Sequence, residues 1–114
     1  MTQQIYWVLD GREAIPAPGD DPMSWARSGV LGTRVALTEF PSQNGASIST
    51  VFLGTNYQLD PEGPPHIFET MVFASDYPEM DQECERYSTW DQAEAGHAAM
   101  VERFHTHTKE HANE

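Results

Sequence analysis

Histidine and carboxylate are the side chains of this chain best suited to chemistry, and their spacing offers three candidate sites. His66 follows Pro64 and Pro65 and stands three positions before Glu69, a pairing that could serve general acid and base catalysis. The ordinary role of a histidine entering a strand is a satisfied boundary residue. His97, His105, His107 and His111 lie on one segment, and the four-residue spacing of His107 and His111 would put both imidazoles on one helical face. No third ligand stands at a recognisable spacing and no His-Glu-x-x-His pattern occurs, so no metal or other cofactor is expected. His97 reads as a core-facing imidazole paired with a sheet residue. The third site is a run of acids, Asp76, Glu79, Asp81, Glu83 and Glu85, with Tyr77, Pro78 and Met80 among them.

That run lacks the glycine and ligand order of a calcium loop. Its carboxylates can instead stand in for nucleic-acid phosphates before the arginines and lysines of another protein. Tyr77 would then be an apolar anchor, with Asp60 and Glu62 as secondary contributors. The alternative is a solvated loop. Cys84 lies between Glu83 and Glu85, whose charge makes it a poor nucleophile. There is no Gly-x-Ser-x-Gly, P-loop or Gly-x-Gly-x-x-Gly pattern, so the signatures of acyl transfer and phosphate binding are missing.

Charge supports the binding reading. The formal net charge is −12, and residues 35–85 contain no lysine or arginine at all. A one-signed field of this kind repels nucleic acid and anionic membrane and attracts basic protein surfaces. Solubility is the competing explanation. Lys109 is the sole lysine against five arginines, a bias that GC-rich coding produces unaided, and a salt-adapted cytoplasm also favours acids.

At 114 residues the chain is sized for one domain, expected over residues 1–107 with a frayed polar tail at 108–114. Three Trp, four Tyr and five Phe are too much apolar surface for a disordered acidic tail. No secretory leader or long apolar run is present, and one cysteine fits a reducing compartment, so a cytoplasmic protein is expected.

The elements that must position these residues follow from pattern. Residues 5–9 are β-prone and end at the Asp10-Gly11 turn signal, with a return over residues 12–15. Pro16, Pro18 and Gly19 break the chain before a short helix expected near residues 22–28, capped by Asp20 or Asp21. Residues 34–40 and 47–53 read as a hairpin about Asn44-Gly45, and residues 66–73 as a further strand. Apolar residues on both sides of the last two strands predict that both sheet faces are covered, except near Glu69. Residues 54–65, rich in Gly and Pro, read as a long loop, residues 74–82 as a solvent-exposed loop, and residues 83–87 as a charged edge strand.

Thr89 and Gln92 have capping-box spacing, and Trp90, Ala93, His97, Met100, Val101 and Phe104 then recur with helical period. The helix is expected to reach about His107, which makes it roughly 27 Å long. The sum is a two-layer α+β domain, an antiparallel sheet of four or five strands with the terminal helix on one face.

Three segments carry a resemblance: Ser49-Thr50-Val51-Phe52-Leu53-Gly54, Phe68-Glu69-Thr70-Met71-Val72-Phe73, and Glu85-Arg86-Tyr87-Ser88-Thr89-Trp90 continuing to Ala95-Gly96-His97. Over residues 47–101 the chain resembles a group of short, uncharacterised proteins encoded by tailed phages, prophages and bacterial genomes. The resemblance implies a mobile-element origin and carries over no activity or residue role. Members of that group often continue the Val-Phe-Leu-Gly strand with Leu-Asp-His, where this chain has Thr55-Asn56-Tyr57.

The leading expectation is an acidic, non-enzymatic interaction protein. Its partner would be a basic, nucleic-acid-binding surface on a host or defence complex, occluded as anti-CRISPR and other anti-defence inhibitors do. An enzyme or ligand-binding domain built on His66 and Glu69 is the second expectation, and a virion component self-associating through an open sheet edge the third.

Overall fold

The computed structural model describes residues 6–17, 32–56 and 63–111. In chain order these form β1 (Trp7–Asp10), β2 (Glu13–Pro16), β3 (Arg34–Phe40), a 3-10 turn (Pro41–Gln43), β4 (Ala46–Phe52), β5 (Phe68–Phe73), β6 (Cys84–Tyr87) and α1 (Trp90–His111). β3-β4-β5-β6 make one antiparallel sheet in sequence order, β1 and β2 make a separate hairpin, and α1 packs on the larger sheet. The α+β class expected from the pattern is the observed one. The short helix expected near residues 22–28 lies outside the described residues.

Turn chemistry sets the two hairpins. Asn44 (φ 58°) and Gly45 (φ 77°) both adopt left-handed backbone between β3 and β4, a conformation that glycine takes freely and asparagine tolerates better than most residues. The register that follows opposes Thr38 to Ile48 and Phe40 to Ala46, with a bulge between Arg34 and Ala36. On β4 the result is strict alternation. Ala46, Ile48, Thr50 and Phe52 are buried under the helix, while Ser47, Ser49 and Val51 are half-buried on the other face.

The cover expected on that other face is not found among the described residues. No described element covers it, and Leu37 and Phe73 are 39% and 50% exposed there. Met71 lies directly opposite Ser49 on the neighbouring strand, and Phe73 opposite Ser47. Apolar residues on both sides of a strand are accommodated here partly by cross-strand neighbours, with no second layer among the described residues.

The helix begins as its sequence specifies. The N–H of Gln92 donates to Thr89 Oγ1 at 3.1 Å, and Gln92 Oε1 accepts from the N–H groups of Thr89 (3.2 Å) and Ser88 (3.0 Å). This reciprocal arrangement satisfies amides that the first turn leaves without helical partners. Arg12, at the tip of the β1–β2 hairpin, lies 5.4 Å from the Trp90 ring centroid and 3.6 Å from Glu94. The hairpin is joined to the end of β4 by the Tyr6–Thr55 bridge and by the Trp7 N–H donating to the Gly54 carbonyl at 2.8 Å. Part of the expected loop after residue 54 is thus a strand partner.

At its other end α1 runs past the expected His107 to His111, and Thr108 is buried instead of fraying. Its hydroxyl donates to the His105 carbonyl at 3.1 Å, which removes the main penalty for burying it.

Two apolar clusters fill the space under the helix. Ile48, Val72, Met80, Met100 and Phe104 form one, and Phe52, Ile67, Phe68 and Ala93 the other. Each fully buried aliphatic or aromatic side chain here is worth about 2 kcal/mol by area removed from water. A polar layer separates the clusters. Thr50 lies between Ile48 and Phe52 on β4, Thr70 between Phe68 and Val72 on β5, and His97 one turn from each apolar neighbour on α1.

Candidate functional site

The acidic segment after β5 is folded onto the molecule instead of looping out into solvent. Tyr77 N–H donates to the Ala74 carbonyl (2.8 Å), and Met80 and Asp81 both donate to the Tyr77 carbonyl (2.8 and 2.9 Å). Pro78, with no N–H to satisfy, sits between them. Gln82, at φ 65°, then turns the chain so that its N–H reaches the Val72 carbonyl, and Val72 donates to Glu83 in return at 3.0 Å. Ala74 and Met80 are buried, and the Tyr77 ring stands 5.4 Å from the Phe104 centroid, edge to face. The expectation of a solvent-exposed loop is corrected by these contacts: Tyr77 and Met80 are apolar feet planted on the carboxy-terminal half of α1.

The five carboxylates divide by role. Asp81 accepts the Ala74 N–H at 2.7 Å and is part of the loop's own framework. Glu83 pairs with Arg103 of α1 at 3.2 Å. Glu79 lies 3.3 Å from His107 Nε2, an ion pair only when that imidazole is protonated. Asp76 accepts from Asn44 Nδ2 at 2.6 Å, which ties the loop to the β3–β4 turn. Glu85 is on β6, opposite Thr70. Asp76, Glu79 and Glu85 are exposed, and Asp81 and Glu83 half-buried. Asp60 and Glu62 lie outside the described residues.

Much of the positive charge is engaged within the chain. Arg12 pairs with Glu94, Arg86 with Glu69 at 2.9 Å, and Arg103 with Glu83. Asp10, Glu13, Glu39, Asp76, Glu85, Asp91 and Glu102 are exposed and form no ion pair with a base among the described residues. The acidic field therefore survives folding.

His66 and Glu69 are not brought together as an acid and base. Glu69 lies on the sheet face away from α1 and its carboxylate accepts from Arg86 Nε. The N–H of His66 donates to Asn56 Oδ1 at 3.0 Å. Among the described residues no three His, Cys, Asp or Glu side chains are grouped to hold a metal ion. Cys84 is a free, exposed thiol on β6.

His97 does face the sheet, and it meets two strands at once. Nδ1 lies 2.7 Å from Thr50 Oγ1 and Nε2 lies 2.9 Å from Thr38 Oγ1, while Thr50 Oγ1 also bonds Thr70 Oγ1. Burial holds the imidazole below its ordinary value of 6.5, so it is neutral at physiological pH. A neutral imidazole donates from one nitrogen and accepts at the other, and threonine hydroxyls can answer either role. The layer fixes where the helix sits along three strands. Sequence reasoning anticipated a sheet partner for His97 but not these threonines, whose common row depends on strand register.

Tyr87 closes the layer on the β6 side. A Cβ on Gly96 would fall 2.2 Å from its ring, so the glycine in mid-helix is the space the ring occupies. The Tyr87 hydroxyl is buried without a well-aligned hydrogen bond. Burial raises its pKa above 10.0, with the nearby Thr70 hydroxyl acting in the opposite direction.

Between α1 and the acidic loop runs a groove of about 500 Å³ lined by Met80, Ala99, Glu102, Arg103, Thr106 and His107. Past Ala99 and Arg103 it adjoins a smaller hollow of about 260 Å³ that reaches Glu85, Tyr87 and Gly96.

The fold and site define a small α+β domain with a helix-seated acidic loop and, among the described residues, no helix long and apolar enough to cross a membrane. Comparisons with protein-family models, with curated proteins and with solved structures find no match to the chain.

Proposed function

We propose that the chain is an acidic, non-enzymatic protein-binding module that occludes a basic, nucleic-acid-binding surface on a host or defence complex, in the manner of phage-encoded anti-CRISPR and other anti-defence inhibitors. The observation that carries this reading is the seating of the acidic loop. Asp76 and Glu79 are held exposed on a framework of backbone hydrogen bonds and on Tyr77 and Met80, and Glu85 on the adjoining β6, while Arg12, Arg86 and Arg103 are paired internally. Carboxylates fixed in place before binding lose less conformational freedom on meeting arginine and lysine than a mobile tail would.

The test is capture from nuclease-treated host extract with purified wild-type protein and with an Asp76→Asn, Glu79→Gln, Glu85→Gln variant. Asp81 and Glu83 stay unchanged because their bonds hold the loop to the helix and sheet. The screening length falls from about 8 Å at physiological ionic strength to about 3 Å at 1 M salt. The expected result is a nucleic-acid-binding protein retained at low salt, weakened at high salt and lost with the variant. Retention that ignores both salt and variant overturns the reading.

A further inference from the structure

The groove between the acidic loop and α1 has an apolar floor and an acidic rim, a combination that selects one kind of occupant. Met80 and the small Ala99 form the floor, and a larger side chain at the exposed Ala99 position would fill the space. Around it stand Glu79, Glu83, Glu85 and Glu102. Arg103 is the one arginine among the described residues that line it, and its guanidinium lies against Glu83. His107, at the far end, lies against Glu79.

We infer that this groove is where the partner is gripped, and that its occupant is a basic segment of that partner carrying one apolar side chain flanked by arginine or lysine. The inference rests on the acidic-binder reading and adds the location and the recognition chemistry. An aliphatic side chain seated on Met80 and Ala99 loses its water-exposed surface, and flanking basic residues lay their methylene stems along the groove wall with their charged heads among the rim carboxylates. An acidic segment meets like charge on the rim. A purely apolar segment leaves the carboxylates without partners, and a purely basic one leaves the floor uncovered.

The test is amide NMR of the full chain with two synthetic peptides, one with a leucine between paired arginines and lysines and one with the leucine replaced by glycine. The expected result is that the leucine peptide shifts the amides of Met80, Ala99, Arg103 and Thr106 and binds about tenfold or more tighter than the glycine peptide. Ala99→Trp, which fills the groove from an exposed helix position, should weaken the leucine peptide by a similar factor, and Thr106→Trp checks the effect from the other end. Saturable binding of both peptides with equal affinity, or with shifts confined to the Asp10, Glu13 and Asp91 end, overturns the groove while leaving the acidic-binder reading standing. Absence of saturable binding by either peptide at low salt counts against both.

Discussion

Thr50→Val isolates the polar layer that joins helix to sheet. Valine keeps the shape of threonine, so no cavity opens, but the hydroxyl that meets both His97 Nδ1 (2.7 Å) and Thr70 Oγ1 is gone. Thr50 and Thr70 are fully buried and His97 is 6% exposed, so water cannot take over those bonds. Leaving a buried polar group without its partner costs about 1–3 kcal/mol, and two such groups together about 2–6 kcal/mol. The same reasoning gives an opposite result when all partners are made apolar. A Thr50→Val, Thr70→Val, His97→Leu variant leaves the half-buried Thr38 hydroxyl without its imidazole partner and takes only the poorly aligned Thr70 hydroxyl from beside Tyr87, and should be destabilised by less than the single substitution. Urea unfolding followed by circular dichroism, at unchanged m-value, measures both. A Thr50→Val effect below about 0.5 kcal/mol, or a triple variant worse than the single one, refutes the reasoning.

Three further outcomes are expected. Because burial holds folded His97 below 6.5, the unfolded chain takes up that proton first as pH falls. The contribution is fully present above pH 6.5 and is lost as pH drops from there towards the folded value, with a slope of at most about 1.4 kcal/mol per pH unit; His97→Gln should flatten that part of a stability-versus-pH curve. Thr89→Ala removes the acceptor of the Gln92 amide and should lower stability by about 1 kcal/mol in the same urea assay, whereas Thr89→Asp should retain most of it. Glu69→Gln breaks an exposed pair with Arg86 and should change stability by less than about 1 kcal/mol, in contrast to Phe104→Ala in the core at about 3–5 kcal/mol.

The parts of the fold legible in sequence are those governed by local chemistry. Asp10-Gly11 and Asn44-Gly45 specify turns through their backbone preferences, and Thr89 with Gln92 specifies a helix start through two reciprocal hydrogen bonds. The stripe from Trp90 to Phe104 specifies the buried helix face, with Ala93, His97, Met100 and Phe104 all inside. What was not legible depends on contacts distant in sequence. Thr38, Thr50 and Thr70 look like ordinary strand residues, and only register places them around one imidazole. Tyr77 in an acidic, proline-containing segment has the composition of an outward anchor, and it takes Phe104, far along the chain, to draw it inward. The carboxy-terminal turns of α1 carry His105, Thr106, His107 and Lys109, which show no apolar period, yet Thr108 is buried there.

Competition for a captured partner tests occlusion most directly. The protein retained from nuclease-treated extract would be isolated, loaded with fluorescently labelled nucleic acid and titrated with this chain at physiological salt. The expected result is displacement of the nucleic acid by the wild-type protein, strongly weakened in the Asp76→Asn, Glu79→Gln, Glu85→Gln variant. A ternary complex in which partner, nucleic acid and this chain remain together would contradict it.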